Sequence, residues 1–418
     1  MPDNPQTTPH QWPRSGLRRG PRPLLMHLTL AALKSRNSTA AWPSSNEDWL
    51  RLIAGLDLSN LAENPLAADH ELIHGIAAYR RHPWTRDLVD PPVLWQQGEA
   101  RLLDFGGEST AAPLLLVPSL INRATILDLA EGRSMARFLA AQGLRVLLLD
   151  WGWPDTGPDA GDLDALITER LASAITRTAD LGGAKGRVTL VGYCMGGLLT
   201  LAAALLRPER VAGLALLATP WNFKAGQGLA ALDIPRLLET LEPVMALTGT
   251  LPIDALQMLF NLAEPHSVGD KYRGFGRLAQ DSDRARRFVA IEDWLNDGVP
   301  LAAPVARACL GQWYGDNAPM RGEWQVAGQR ILPGQLKVPS FVAIPDRDRI
   351  VPPESALALA DALPDTVVVR PKAGHVGMVA GTTAEAALWR PLADWAHALP
   401  AIAPTGFRKR RRSSKVQS

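Results

Sequence analysis

Residues 188–200 read VTLVGYCMGGLLT. The first half is a short apolar run, as in a buried strand. The second half, from Met195, is apolar and rich in Leu and Ala, as in a buried helix. A strand that passes straight into a helix bends sharply at the residue between them, and glycines two residues to either side relieve the crowding. Here that residue is Cys194, between Gly192 and Gly196. Its side chain is expected to stand above the sheet, at a helix N-terminus whose dipole favours a thiolate. The N–H of Met195 would then point toward a developing oxyanion. A tight glycine turn that merely buries a cysteine would look the same locally, so the rest of the chain has to decide.

The surrounding sequence alternates strands and helices. Apolar runs at APLLLVP (112–118), LRVLLLDWG (144–152), VAGLALLATP (211–220), PSFVAIPDRD (339–348) and TVVVRPKAGH (366–375) are separated by helical patterns such as 133–143, 161–183 and 385–399. Repeated apolar strands with helices between them predict a parallel sheet covered on both faces. The rhythm breaks at about Trp221 and resumes near Pro339. The expected fold class is therefore α/β, an α/β-hydrolase fold: a mostly parallel central sheet, helices on both faces and an inserted helical cap, or lid. The expected organisation is a disordered tail at 1–22, a helical N-terminal region at 23–95, the core at 96–221 and 331–400, the cap at 222–330, and a basic disordered tail at 401–418.

In that fold the chain order is nucleophile, acid, histidine, with the acid after a later strand and the histidine after the last one. The strand SFVAI is followed by PDRDRIVPP and the strand TVVVR by PKAGHVG. Asp348 is the expected acid and His375 the expected base. Asp346, nearer the strand, is the alternative acid or a turn former. The remaining histidines (His10, His27, His70, His74, His82, His266, His397) precede the nucleophile, lie in the insertion or lie on a helix. The second oxyanion donor should come from the loop PSLINRATILDL (118–129). The backbone N–H of Ile121 is expected there, with Leu120 as the alternative and Asn122 and Asp128 bracing the loop.

Composition narrows the class. The chain has 418 residues, is 46% hydrophobic and carries a formal charge of +2, so nothing in the overall balance points to nucleic acid. Cys194 and Cys309 are the only cysteines. Two cysteines make neither a disulfide framework nor a zinc cluster, and they suit a reducing compartment. Cys309 reads as a small buried apolar residue. LLMHLTLAAL (24–33) reads as an amphipathic helix rather than a signal sequence, and no transmembrane segment, metal site or dinucleotide fingerprint is expected.

Several of these stretches together resemble the polyhydroxyalkanoate synthases. They are HPWTRDLVDPPVLWQQGEARLLDFG, PLLLVPSLINRATILDL, VLLLDWGWPD, GYCMGG, DRDRIVPP and GHVGM, collinear over roughly residues 80–400. The cysteine-centred G-x-C-x-G-G, combined with INR and DWG-x-P, is quite specific. In length the chain is nearer the short, class III-like catalytic subunits. The resemblance implies an acyltransferase that takes 3-hydroxyacyl groups from coenzyme A thioesters onto Cys194 and polymerises them, with Asp348 as acid and His375 as base. It implies no cofactor beyond the coenzyme A thioester substrate. It also implies a homodimer or a second synthase subunit as partner, and a place in the cytoplasm or at the polymer-granule surface. Two alternatives remain at this level. One is a hydrolase (thioesterase, esterase or polyhydroxyalkanoate depolymerase) with a Cys-Asp-His triad. The other is a catalytically silent granule-associated protein.

Overall fold

Eight strands form one sheet: β1 (Val93–Gln97), β2 (Ala100–Asp104), β3 (Leu114–Val117), β4 (Val146–Asp150), β5 (Val188–Tyr193), β6 (Val211–Leu217), β7 (Ser340–Ala343) and β8 (Thr366–Val369). Their spatial order is 1-2-4-3-5-6-7-8. β1 pairs antiparallel with β2, and β2 antiparallel with β4. All other neighbours are parallel. This is a computed structural model, and it describes residues 18, 20–28, 69–107, 112–156, 160–181, 186–226, 232–261 and 267–399.

The central strands read as continuous apolar runs because both of their faces are covered. In β4, Leu147 and Leu149 join one buried cluster, and Val146 and Leu148 join the other. The first cluster includes residues of α3 (Ala172–Leu181), α4 (Met195–Leu206) and α10 (Pro353–Ala362). The second includes α2 (Met135–Ala141), α11 (His375–Ala380) and α12 (Arg390–Ala398). The helix expected at 161–183 is not uniform. It is π-helical over Leu166–Leu171 before α3 begins.

Among the described residues, five α-helices lie between β6 and β7: α5 (Ile234–Thr248), α6 (Ile253–Asn261), α7 (Ser267–Gly276), α8 (Asp283–Asn296) and α9 (Ala303–Ala308). This insertion also contains strands, which the helical reading missed. Thr250–Leu251 pairs with Leu301–Ala302, and Gln325–Val326 with Gln329–Arg330. Two-residue strands carry too little alternation to be read from sequence. The insertion has no separate core on the sheet side. Ile234, Val305 and Trp313 share the cluster that contains Leu190 and Leu214.

The N-terminal region departs from expectation in two places. The boundary drawn at residue 95 falls inside β1, because β1 and β2 form a hairpin turning at Gly98 (φ 59°). The tail drawn at 1–22 includes packed residues: Arg18 donates from Nε to Asp293 Oδ1 at 2.7 Å and from its guanidinium to the carbonyls of His82 and Trp84. A half-buried carboxylate on α8 gains from a cation, and Arg18 supplies it. Residues 1–17, 29–68 and 401–418 lie outside the described residues. α1 (His70–Arg81) packs on the insertion through Leu72, Ile76 and Tyr79 against Val268, Tyr272 and Phe275. Among the described residues, no helix is long and apolar enough to cross a membrane.

Candidate active site

Cys194 stands between β5 and α4 with φ 55° and ψ −124°. A non-glycine residue held there costs of order 1–3 kcal/mol and persists only when its surroundings enforce it. The enforcement is visible. The Cys194 N–H donates to Leu217 O on β6 at 2.9 Å. A Cβ on Gly192 would lie 2.5 Å from Gly197 Cα, and one on Gly196 would lie 2.5 Å from Pro118 O. Both glycines are therefore required by close approach of backbone to backbone. Cys194 is partly buried and packs against both apolar clusters.

His375 is the first residue of α11, directly after the β8 loop. Its Nδ1 donates to Asp348 Oδ2 at 2.7 Å, and the Cys194 side chain is near enough to raise the ring's pKa. Asp348 is 4% exposed, and its other oxygen accepts the N–H groups of Ile350 and Val351, each at 2.9 Å. These bonds orient the carboxylate before it meets the histidine. Burial alone would lower the His375 pKa, but the charges of Asp348 and Cys194 outweigh it and raise the value to about 10. A ring with so raised an affinity for a proton is a strong base beside Cys194.

The two candidate acids separate cleanly. Asp346 points to solvent and pairs with Arg370 at 2.8 Å, whereas Asp348 faces the histidine. The oxyanion candidates also separate. Met195 is the first helical residue of α4, so its N–H lies outside the intrahelical ladder. The Ile121 N–H is aimed at Ser119 Oγ, 3.4 Å away, a long bond that leaves it weakly held. The loop is braced on its far side. The indole of Trp151 donates to Pro118 O at 3.1 Å, and Val299 N–H donates to Ile121 O at 2.7 Å. Asn122 forms an isolated antiparallel bridge with Gly298. Asp128 is fully buried, and its carboxylate takes Arg86 at 2.6 Å and Arg137 at 2.7 Å.

Two neighbours were not read from the sequence. Tyr193 stacks beside His375, with ring centroids 5.1 Å apart, and its hydroxyl donates to His375 O at 3.3 Å. Its place next to the cysteine in a buried strand was the available signal. Tyr314, on the insertion's π-helical turn Cys309–Gly315, has its hydroxyl pKa pushed up by burial and then by the charges of Cys194 and Cys309. No local pattern announces a residue of the insertion that comes near Cys194 through tertiary packing. Cys309 itself is buried, and burial pushes its thiol pKa up.

Of the other histidines, His27, His82 and His397 face the backbone carbonyls of Arg22, Gln280 and Gln142. His70 and His74 lie on α1, and His10 and His266 lie outside the described residues. Among the described residues, no group of three or more His, Cys, Asp or Glu side chains could hold a metal ion.

Residues 112–382 match the family model of the alpha/beta hydrolase fold. The chain belongs to the α/β-hydrolase fold family. Within it, the chain is 28% identical over 309 residues to the poly(3-hydroxyalkanoate) polymerase subunit PhaC of Haloferax mediterranei, covering 72% of this chain and 63% of that one. It is 27% identical over 316 residues to the protein of the same name from Haloarcula marismortui, covering 72% and 66%. It is 28% identical over 296 residues to that of Allochromatium vinosum, covering 69% and 81%. The chain thus spans just under two thirds of the length of the two haloarchaeal relatives. The resemblance read from GYCMGG, INR and DWG-x-P is borne out by these relatives and by the fold-family match.

Proposed function

We propose that the protein is an acyltransferase that takes 3-hydroxyacyl groups from coenzyme A thioesters onto Cys194 and joins them into a polyhydroxyalkanoate. The observation that carries this is the Asp348–His375 hydrogen bond beside Cys194, itself held at a strained strand-to-helix turn, in a chain similar to named poly(3-hydroxyalkanoate) polymerase subunits.

His375 takes the Cys194 proton while Asp348 holds the ring. The thiolate attacks the thioester carbonyl, and the N–H groups of Met195 and Ile121 receive the oxyanion. Collapse breaks the carbonyl–sulfur bond to coenzyme A, and His375 returns the proton to the departing thiol. A hydroxyl from a second acyl unit or a chain end then loses its proton to His375 and attacks the acyl-cysteine. An ester bond forms, the cysteine thioester breaks, and the proton passes back to Cys194.

Cysteine suits this cycle because thioester exchange is nearly balanced in energy, so the acyl group stays activated for the alcohol. The insertion at 222–330 excludes water, the competing acceptor. Purified protein given 3-hydroxybutyryl-CoA should release coenzyme A and form polymer. Release of free 3-hydroxybutyrate alone would make it a hydrolase, and no release would make it a silent member of the family. The chemistry places the enzyme with its substrate in the cytoplasm or at the polymer-granule surface. Isolated polymer granules, fractionated and probed for the chain, test that placement.

A further inference from the structure

The acid and the base form one unit. β7 and β8 are paired neighbours, and backbone bonds join the loops that follow them, from Asp346 N–H to Pro371 O and from Arg347 N–H to Ala373 O, each at 3.0 Å. With the bond from His375 to Asp348, the two loops are held to each other at three points. The nucleophile lies outside that unit. Its turn follows β5, and β6 stands between β5 and β7 in the sheet.

The distance from the imidazole to Cys194 therefore needs its own support. α11, which His375 begins, is six residues long, and among the described residues no side chain caps its start. A helix so short takes its place from packing rather than from its own bonds. Tyr193 supplies that packing from the nucleophile's own turn. It is the last residue of β5, one peptide bond from Cys194, and is 2% exposed. Its ring lies against the imidazole, with centroids 5.1 Å apart and planes inclined by 32°. Its hydroxyl reaches His375 O at 3.3 Å, a long bond. Tyr193 also shares a buried cluster with Met378, Val379 and Ala380 of α11.

The ring does two things that the hydroxyl does not. It limits rotation of the imidazole about its bond to Asp348, which a single bond does not prevent. It also presents a π face to the cation that forms when His375 takes the Cys194 proton. The hydroxyl stays neutral, because burial, and then the charges of Cys194 and Asp348, hold its pKa well above the ordinary value. The charged groups that face the imidazole are Asp348 and, as thiolate, Cys194.

We propose that Tyr193 is a positioning residue for His375, its ring registering the acid–base pair on the turn that carries the nucleophile. The effect on coenzyme A release rests on the acyl-transfer reading above, whereas the effect on the thiol does not. Tyr193→Phe keeps the ring and Tyr193→Leu removes it. Tyr193→Met is a second ring-free variant, with a side chain that adapts to irregular space. Each folded variant is measured for coenzyme A release from 3-hydroxybutyryl-CoA, for iodoacetamide alkylation of Cys194, and for titration of the His375 ring nitrogens by NMR.

The ring-free variants should lose about 10–100-fold in kcat, the cost of a misplaced reacting group, with KM within about twofold of wild type. Alkylation should slow with kcat, and the His375 titration should move to lower pH. Tyr193→Phe should keep both rates within about threefold of wild type, the loss of one weak neutral hydrogen bond, and should keep the wild-type titration. Ring-free variants that match wild type in rates and titration, even if less stable, overturn the proposal. So does a Tyr193→Phe protein that loses as much as they do. If alkylation and titration shift as stated while no protein, wild type included, releases coenzyme A, the positioning role stands and the acyl-transfer reading falls.

Discussion

Replacing Gly196 with alanine should slow acyl transfer while leaving the thiol of Cys194 reactive. A Cβ at this position would lie 2.5 Å from Pro118 O and closer still to Val117 O. Both are backbone atoms, so Pro118 must retreat by about 0.5 Å and Val117, the last residue of β3, by about 0.8 Å to reach the 3.0 Å that real Cβ contacts respect. The retreat is opposed from behind, because Trp151 Nε1 holds Pro118 O at 3.1 Å. Overpacking of this kind costs about 1–3 kcal/mol. Exchanging glycine for alanine inside a helix returns about 1 kcal/mol. The fold should therefore survive, with a loss no greater than about 2 kcal/mol. The oxyanion donors, by contrast, must be placed to within a fraction of an ångström. Loss of one donor costs about 10²–10³-fold in kcat, so coenzyme A release should fall by about 10²-fold. Iodoacetamide alkylation of Cys194 forms no oxyanion and should keep its wild-type rate. A kcat within about threefold of wild type, where the loss of a donor demands far more, would refute the reasoning. So would alkylation that falls in step with coenzyme A release.

Asp348→Asn keeps an acceptor for the loop N–H groups but removes the charge facing His375. A buried charge-assisted bond is worth about 1.5–3 kcal/mol, so coenzyme A release should fall roughly 10–150-fold, whereas Asp346→Asn should leave it unchanged. The raised pKa of His375, about 10 against 6.5 when unfolded, contributes stability that is fully present below pH 6.5 and is lost as pH rises through about 10. Ring nitrogen shifts in NMR should follow that titration, and Cys194→Ala should move it downward by removing one anionic neighbour. Asp128→Ala removes the buried carboxylate that Arg86 and Arg137 share, leaving Arg86 its bond to Asp90. Urea unfolding should show a loss of about 3 kcal/mol, the low end for a broken buried pair because both arginines keep some contact with water.

The core and the chain order of Cys194, Asp348 and His375 could be read from sequence because each rests on a local pattern. Strands buried on both faces appear as apolar runs, and the turn at Cys194 announces itself through Gly192 and Gly196. The spacing of Asp348 and His375 after two late strands follows from the fold's chain order. What escaped depends on contacts between distant segments. The Arg18–Asp293 pair joins residues 275 apart. The Trp151 bond to Pro118, the bridge from Asn122 to Gly298 and the approach of Tyr314 to Cys194 belong to tertiary packing, which no periodicity encodes. The two-residue strands in the insertion were missed for a simpler reason, since a pairing that short has no pattern. Asp348 was the expected acid and Asp346 the alternative; the structure adds their side-chain directions, which two positions of equal spacing parity in one loop do not reveal.

The central claim is that Cys194 carries the acyl group. Wild-type protein mixed with 3-hydroxybutyryl-CoA and quenched early should gain the mass of one or more 3-hydroxybutyryl units, located on the Cys194 peptide, and Cys194→Ala should gain none and release no coenzyme A. A mass gain placed on Cys309, or coenzyme A release from Cys194→Ala at the wild-type rate, would contradict the account.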